Sequence, residues 1–220
     1  MKGNSERVPN KNLKDFNGNP LYHVIIKTLL KSKLIDEIII NTDSNRIIND
    51  INKNFSKKIK IRNRDQNIIG DFISMNQIIK NDLDNSDGDI YIQTHSTNPL
   101  LNYKSINEAL NIMIKNIENN SIYFDSIFSV TKLQTRLYDI KGEPLNHDPN
   151  QLLRTQDLAP LYEENSCFFI FTKDSFKNSK NKRIGIKPKM FEVDKNESID
   201  IDTMDDFLIA KALHKSKFNK

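Results

Sequence analysis

The run Ile38-Ile39-Ile40-Asn41-Thr42-Asp43-Ser44 gives the first indication of the fold. Its isoleucines are continuous rather than alternating with polar residues, which is typical of a strand buried on both faces of a parallel sheet. We predict that strand over 37–41, ended by the polar pair Thr42-Asp43. Ser44 has the residue type of a helix N-cap, and we predict a helix from it to Asn52.

Short apolar runs and segments of helical periodicity alternate on both sides of this strand. Further strands are predicted at 58–61, 89–94, 125–131, 166–172 and 191–193, helices at 20–33, 71–83, 103–117 and 205–214, and a polar break at 175–178. This alternation predicts an α/β fold of three layers, with a mostly parallel sheet flanked by helices. We expect a single domain over 1–220, because no repeat or long linker divides it, with a lid or dimerisation excursion at about 132–162.

The composition excludes several classes of function. The 33 basic and 29 acidic residues leave a formal charge of only +4, too small and too dispersed for a nucleic-acid-binding protein. No apolar stretch reaches the roughly 20 residues that span a bilayer, and there is no signal-peptide core after Met1. The one cysteine, Cys167, fits a reducing cytoplasm, and its apolar neighbours predict a buried side chain rather than a nucleophile. We therefore expect a cytoplasmic enzyme with no membrane partner.

The opening run, residues 2–12, has the chemistry of a phosphate-binding loop. A glycine permits close backbone approach, hydroxyl and amide groups supply hydrogen bonds, and cations supply charge; the residues are Gly3, Ser5, Asn12, Lys2, Arg7 and Lys11. Such donors and cations together replace the hydration of a phosphate. A solvated basic tail would explain the composition equally well, and neither standard glycine-rich nucleotide motif occurs.

A second constellation, residues 198–203, lies near the other end of the chain. Asp200 and Asp202 are two residues apart, so an extended backbone puts both carboxylates on one face. Two hard oxygen ligands suit Mg²⁺, which binds one or two carboxylates together with substrate phosphates. The alternative is that Asp202 or Thr203 caps the last helix, with an acidic residue in its first turn. We favour the metal pair, because capping does not account for two carboxylates on the extended segment.

The four histidines show no metal-ligand spacing. His95 follows a predicted strand, at the sheet edge where ligands bind in this fold class. His23 and His214 fall on predicted helices, and we expect them at the surface or its boundary.

Taken in order, these motifs resemble those of a known enzyme family. They are the runs 2–13, 18–21 and 38–43, Arg64 with Gly70-Asp71, and the runs 97–100, 198–203 and 205–207. Together they resemble the CMP-sialic acid synthetases, or acylneuraminate cytidylyltransferases, over nearly the whole chain. The resemblance implies the Rossmann-like fold of the nucleotide-diphospho-sugar transferases. It also implies a homodimer that pairs through the middle excursion.

The resemblance assigns roles to individual residues. The family's opening signature binds CTP, and the matching nucleotide-binding positions are Lys2, Gly3, Ser5, Lys11 and Asn12, with Arg64 near the cytosine nucleotide. The sugar site falls on His95, where many members have Gln, and on Arg154, which resembles a basic residue that contacts the acidic sugar. The implied catalytic residues are Lys11, Asp200 and Asp202, of which the two aspartates hold Mg²⁺.

The implied reaction transfers CMP from CTP to the anomeric hydroxyl of an acidic 2-keto sugar, a sialic acid or related nonulosonate, and releases pyrophosphate. Two alternatives stay open: an eight-carbon 3-deoxy sugar acid as substrate, or a truncated, non-catalytic nucleotide-binding protein. Family members have an apolar strand before the opening signature, whereas this chain begins at Met1, so we expect the fold without that first strand. In the loop, Lys2 and Glu6 replace the common Arg and Lys, and an ammonium does not fork onto two phosphate oxygens as a guanidinium does.

Overall fold

The structure, a computed structural model, describes residues 1–3, 5, 7–55, 59–70, 72–119 and 123–218. Its helices are α1 (Leu21–Leu30), α2 (Asn45–Asn54), α3 (Met75–Asp84), α4 (Tyr103–Glu118), α5 (Lys173–Asn178) and α6 (Met204–Phe218). Its strands are β1 (Ile38–Thr42), β2 (Ile59–Asn63), β3 (Tyr91–Thr94), β4 (Ser126–Leu133), β5 (Leu161–Phe171) and β6 (Pro188–Glu192). None of the helices in these ranges is both long and apolar enough to cross a bilayer.

Side-chain caps explain where two of the helices begin. Ser44 Oγ accepts a hydrogen bond from the Ile47 N–H, which confirms the predicted cap of α2. Ser74 and Gln77 form a reciprocal capping box, so α3 begins at Met75. The predicted start of this helix at Asp71, and Lys58 of the predicted second strand, lie outside the described residues.

The predictions for the C-terminal third were less accurate. A second capping box, between Thr172 and Ser175, starts the helix α5 where a polar break was predicted, and that prediction was wrong. Strand β5 begins at Leu161 rather than at 166, because its first residues pair with the end of β4 outside the core.

The six strands form two sheets, β1–β2 and β3–β5–β4–β6. Strands β1 and β2 are parallel. In the larger sheet, β5 is antiparallel to β3 and β4, whereas β6 is parallel to β4, so three of its four strands share one direction. These observations confirm the predicted α/β class, a mostly parallel sheet flanked by helices. In the described part of the chain, β1 is the first strand in sequence, and no strand precedes it in the opening loop.

The side chains of β5 alternate between two helical layers. Phe168 and Ile170 belong to a core cluster with α1, α2, α4 and β1, whereas Phe169 and Phe171 pack with α3 and α5. All four are at most 2% exposed. The first cluster contains residues of both sheets, so apolar packing joins them. Cys167 is fully buried in that cluster, which confirms the prediction of a core residue.

A separate apolar cluster joins the two ends of the chain. Phe207 of α6 and Ile201 just before it pack against Leu21 and Val24 of α1 and against Phe16 of the opening segment. The rings of Phe16 and Phe207 meet edge to face with their centroids 5.5 Å apart. This arrangement adds about 0.5–1.5 kcal/mol to the stabilisation from buried area. The cluster therefore holds the segment before α6 beside the opening loop.

Between β4 and β5 the chain leaves the sheet, and we call residues 134–160 the excursion. Where the chain returns, the register between β4 and β5 shifts between Phe128 and Val130, and Ser166 has a positive φ of 56°. The irregularity leaves residues 165–168 of β5 opposite Ser129 alone, and it interrupts strand pairing locally as a β-bulge does. Residues of β5 before Asn165 are exposed, whereas those after Ser166 are buried.

The expected surface position of His23 was wrong. His23 is 5% exposed, and its Nε2 lies 2.5 Å from Asp50 Oδ2 of α2. The hydroxyl of Tyr22 donates a hydrogen bond to the same carboxylate. Helix α1 is buried on most of its surface, so a histidine on it meets α2 rather than water. His214 lies at the boundary as expected, half-buried and edge-on to the ring of Phe16.

Candidate active site

The opening loop lies against the carboxyl end of β1. The Gly3 N–H donates a hydrogen bond of 2.8 Å to Asp43 Oδ1. A Cβ atom on Gly3 would lie 2.8 Å from the Cβ of Ser44, so this close approach requires glycine. The loop is therefore at the edge where open α/β sheets bind ligands, beyond the ends of their strands.

The same loop is tied to the segment that follows β3. The Asn12 amide donates a hydrogen bond of 2.9 Å to the carbonyl of Lys2, and Ser96 Oγ donates one of 2.7 Å to Asn12 Oδ1. Asn12 is 7% exposed. Ser5 is half-buried in this loop, and the replacement at Glu6 lies outside the described residues.

Lys11 reaches the acidic segment near the C-terminus. Its Nζ donates a hydrogen bond to the carbonyl of Ile201. Burial lowers the pKa of Lys11, and the negative charges of Asp202 and Asp200 oppose that effect, so both carboxylates lie near the ammonium group. Arg7 adds a second cation through an ion pair of 2.9 Å with Asp202. The structure thus brings together the three residues predicted to be catalytic, from opposite ends of the chain.

Asp200 is the member of the acidic pair that has an unsatisfied oxygen. Burial raises the pKa of Asp200 above its usual range, a hydrogen bond with Thr97 opposes the rise, and the charge of Asp202 adds to it. Its Oδ1 is buried and has no hydrogen-bond partner among the described residues. A buried carboxylate oxygen without a partner is costly. A divalent cation would satisfy it, so this donor set fits the expected Mg²⁺.

The cap of α6 is made without the acidic pair. Thr203 Oγ1 donates a hydrogen bond of 2.7 Å to Asp206 Oδ2, and the Asp206 N–H donates one of 3.2 Å to Thr203 Oγ1. The capping alternative therefore accounts for Thr203, while the side chains of Asp200 and Asp202 take no part in these two hydrogen bonds. Within the described ranges, no group of three or more His, Cys, Asp or Glu side chains is placed to hold a metal. The pair would supply two ligands of Mg²⁺, and phosphates and water would supply the rest.

Arg64 lies beneath the end of β1. Its Nε donates to Asn41 Oδ1 at 2.9 Å, and its Nη2 donates to the Asn41 carbonyl at 3.1 Å. Burial lowers the pKa of Arg64, and the carboxylates of Asp43 and Asp82 oppose that effect. Asp43 is the residue that binds the Gly3 N–H. Arg64 therefore supports the strand end on which the opening loop rests.

His95 follows β3 and has a partner that the sequence analysis missed. Arg183 Nη1 lies 3.3 Å from His95 Nε2 and donates a hydrogen bond of 2.9 Å to Gln93 Oε1. The guanidinium lies over the ring of Phe169, 3.6 Å from its centroid. The only signal in the sequence is that this residue is an arginine in a stretch whose other cations are lysines, and arginine is the better residue for stacking.

Arg154 is on the excursion. It is paired with Asp157 at 2.7 Å, and its side chain is 74% exposed. The contacts of Arg154 within the described chain do not include His95 or the acidic pair, so its predicted role at the sugar site stays a prediction.

A mixed sheet flanked by helices, with a basic loop and an acidic pair beyond the ends of its strands, is the arrangement expected of a nucleotidyltransferase. The profile of the family described as cytidylyltransferase matches residues 1–215, and the chain belongs to that family.

Known proteins are similar over most of the chain. The pseudaminic acid cytidylyltransferase of Campylobacter jejuni serotype O:23/36 is 30% identical, over 97% of this chain and 93% of that protein. The N-acylneuraminate cytidylyltransferase of Streptococcus agalactiae serotype V is 26% identical, over 93% of this chain and 49% of that protein. Among solved structures, a CMP:2-keto-3-deoxy-manno-octonic acid synthetase complexed with CTP has a TM-score of 0.71 at 15% identity, over 99% of this chain and 97% of its own. That last likeness shows the fold.

Proposed function

We propose that this chain transfers CMP from CTP to the anomeric hydroxyl of an acidic 2-keto sugar, with release of pyrophosphate. The observation that carries the proposal is the convergence of Lys11 with Asp200 and Asp202 at the strand edge. A lysine that meets two carboxylates beside a glycine-containing loop suits a triphosphate accompanied by a metal ion. Membership of the cytidylyltransferase family supports CTP as the nucleotide.

In this proposal the opening loop binds the triphosphate. Lys2 and Lys11 stabilise the charge that builds on the departing pyrophosphate. Asn12 holds the loop in place, because its amide is bonded to the Lys2 carbonyl and to Ser96. The anomeric oxygen attacks the α-phosphorus in line with the bond that breaks to the bridging oxygen. Positioning of the two reactants supplies much of the rate enhancement.

Asp200 and Asp202 would hold Mg²⁺. Bound there, the ion would neutralise charge on the phosphates and lower the pKa of the attacking hydroxyl. The chain's own cations already balance these carboxylates, since Arg7 pairs with Asp202 and Lys11 lies near both. Binding of the nucleotide therefore exchanges one set of charge contacts for another at the same place.

We place a nonulosonic acid, pseudaminic or sialic acid, in the sugar site. The C. jejuni relative named for pseudaminic acid is 30% identical over 93% of its own length, whereas the S. agalactiae relative named for N-acylneuraminate is 26% identical over 49%. These identities and coverages favour pseudaminic acid over sialic acid as the substrate. We take His95 and Arg154 as the sugar-binding residues, and the position of His95 after β3 supports the first of them.

The excursion is proposed to pair two copies of the chain. Ile140 is 102% exposed, Leu152 90% and Leu145 59%, although all three are apolar. Three apolar side chains exposed to this degree on one segment favour a contact with another protein surface. We further propose that residues 1–220 act as one domain in the cytoplasm, where the unpaired Cys167 would stay reduced.

Pyrophosphate release with CTP, Mg²⁺ and a panel of sugar acids tests the reaction. We expect release with pseudaminic or N-acetylneuraminic acid, and little with an eight-carbon 3-deoxy acid. Asp200→Ala should abolish turnover and leave the circular dichroism spectrum unchanged; near-normal turnover of that variant would remove the metal assignment. Calorimetric binding of CTP without turnover on any acid would contradict the proposal and favour a nucleotide-binding protein.

A further inference from the structure

The contact between Arg183 and His95 determines the state of the imidazole. A guanidinium carries only N–H donors, so a ring nitrogen that it faces must accept the hydrogen bond. That nitrogen is His95 Nε2, 3.3 Å from Arg183 Nη1. An imidazole that accepts at Nε2 is neutral and carries its one proton on Nδ1.

We propose that Arg183 is a positioning residue for the acidic sugar: it holds His95 as the Nδ1–H tautomer, so that Nδ1 donates a hydrogen bond to the carboxylate of the sugar. This rests on the proposed function, which puts the sugar beside the segment after β3. Within the described residues, the side chain of His95 is hydrogen-bonded at Nε2, so Nδ1 remains for a ligand. The positive charge of Arg183 lies on the Nε2 side of the ring, and it favours an anionic over a neutral acceptor at Nδ1.

Arg183 is held rigidly enough to fix a tautomer. Its Nη1 donates to Gln93 Oε1 at 2.9 Å, and its plane stacks 3.6 Å from the centroid of the Phe169 ring. Gln93 and Phe169 are paired across β3 and β5, so the guanidinium is fixed to two adjacent strands. On the far side, Glu164 Oε1 lies 3.5 Å from Arg183 Nη2. A planar fork held at several points loses little further entropy when it meets the imidazole.

The surroundings keep the ring neutral. Burial lowers the pKa of His95 to about 4, and the positive charge of Arg183 adds to the effect. The facing carboxylate, Glu164, lies against Arg183 and partly balances its charge. His95 therefore presents the same N–H donor throughout the range from about pH 5 to 8 in which a free histidine changes its charge.

The tautomer is measured directly by NMR. In long-range ¹H–¹⁵N spectra of the full-length protein, the signals lost in His95→Gln identify the ring of His95. We expect a protonated, pyrrole-type Nδ1 and an unprotonated Nε2 at pH 7 and at pH 5.5. Arg183→Met should give a mixture of tautomers, whereas Arg183→Lys, which keeps a charged donor, should retain most of the Nδ1–H form. A proton on Nε2 in the wild type, or a ring that titrates near pH 6.5, would overturn the proposal.

A kinetic cycle tests whether the pair acts on the sugar. Arg183→Met should lower kcat/KM for the sugar acid at least tenfold, the loss expected for a hydrogen bond to a charged group, while KM for CTP changes less than twofold. In the His95→Gln background, Arg183→Met should lower kcat/KM for the sugar acid by a factor at least threefold smaller, because the histidine that Arg183 positions is absent. The matched control is Lys182→Met, an exposed neighbouring cation, which should have no effect.

Equal losses from Arg183→Met in both backgrounds would show that Arg183 only supports the sheet, and would refute the proposal. The thermal midpoint of each variant is recorded to separate loss of folding from loss of function. If Arg183→Met does not fold, Arg183→Gln replaces it, because a neutral amide can donate or accept and so does not fix the tautomer. Failure of the proposed function is a distinct outcome: the wild type would then release no pyrophosphate with any sugar acid, while the NMR result would be unaffected.

Discussion

The close approach of Gly3 to Ser44 leaves no room for a side chain, so Gly3→Ala is an informative perturbation of the opening loop. The added Cβ would lie 2.8 Å from Ser44 Cβ, about 0.6 Å inside the 3.4 Å at which ordinary contact begins. The loop must withdraw by roughly that distance and weaken the 2.8 Å hydrogen bond to Asp43. Since misplacement by about 1 Å can cost 10²-fold in rate, we expect kcat/KM for CTP to fall about tenfold, or roughly 1.4 kcal/mol.

The assay is the initial rate of pyrophosphate release as CTP is varied at saturating sugar acid. The matched control is Ser44→Gly, which removes the opposing Cβ and should alone cost only a few tenths of a kcal/mol through the cap of α2. The double variant Gly3→Ala/Ser44→Gly should recover most of the lost activity, because the clash is gone. Wild-type kinetics for Gly3→Ala, or no recovery in the double variant, would refute the reasoning.

Three further predictions follow from other parts of the structure. Asp200→Asn should lose at least 10³-fold in kcat, because it removes a carboxylate from the proposed metal site. The variant should keep or raise the thermal midpoint, because burial raises the pKa of Asp200 and penalises its charged form at pH 7. A thermal midpoint lower by several degrees would count against this. Burial alone would raise the pKa of Asp50, but hydrogen bonds from Tyr22 and His23 outweigh it and lower that pKa. The stabilisation is then present above the unfolded value of about 3.9 and lost as pH falls through the folded value, so urea titrations of Asp50→Asn should show a smaller loss of stability between pH 7 and pH 3 than the wild type. Ile140→Glu, at a fully exposed apolar position, should shift the sedimentation coefficient from dimer to monomer without changing the thermal midpoint by more than a few degrees, and an unchanged coefficient would exclude this contact.

The parts of the molecule that the sequence predicted well depend on local signals. The strand β1 was visible because its isoleucines are continuous, and the cap at Ser44 because one residue type serves that purpose. The acidic pair was noticed because carboxylates two residues apart on an extended segment share one face, and its role as a metal site stays a prediction. In each case the prediction depends only on residues within a few positions of one another.

The features that the sequence did not predict depend on contacts between distant residues. Arg183 reaches Gln93 and His95 across 90 and 88 positions, and no periodicity in the sequence reports such a contact. The burial of His23 depends on Asp50 of another helix, which compensates a polar group that the helical pattern alone would place outside. The short helix α5 was missed because its capping box uses a serine, a residue equally common in turns.

The irregularity at Ser166 separates an exposed half of β5 from a buried half. The residues after it are buried in the core, whereas residues 161–164 are exposed and lead out of the excursion. Because the unpaired residues at the register shift absorb changes of register, insertions or deletions in the excursion need not propagate to Phe168 and the buried half of β5. Changes of length and sequence in the excursion should therefore be tolerated by the folded core.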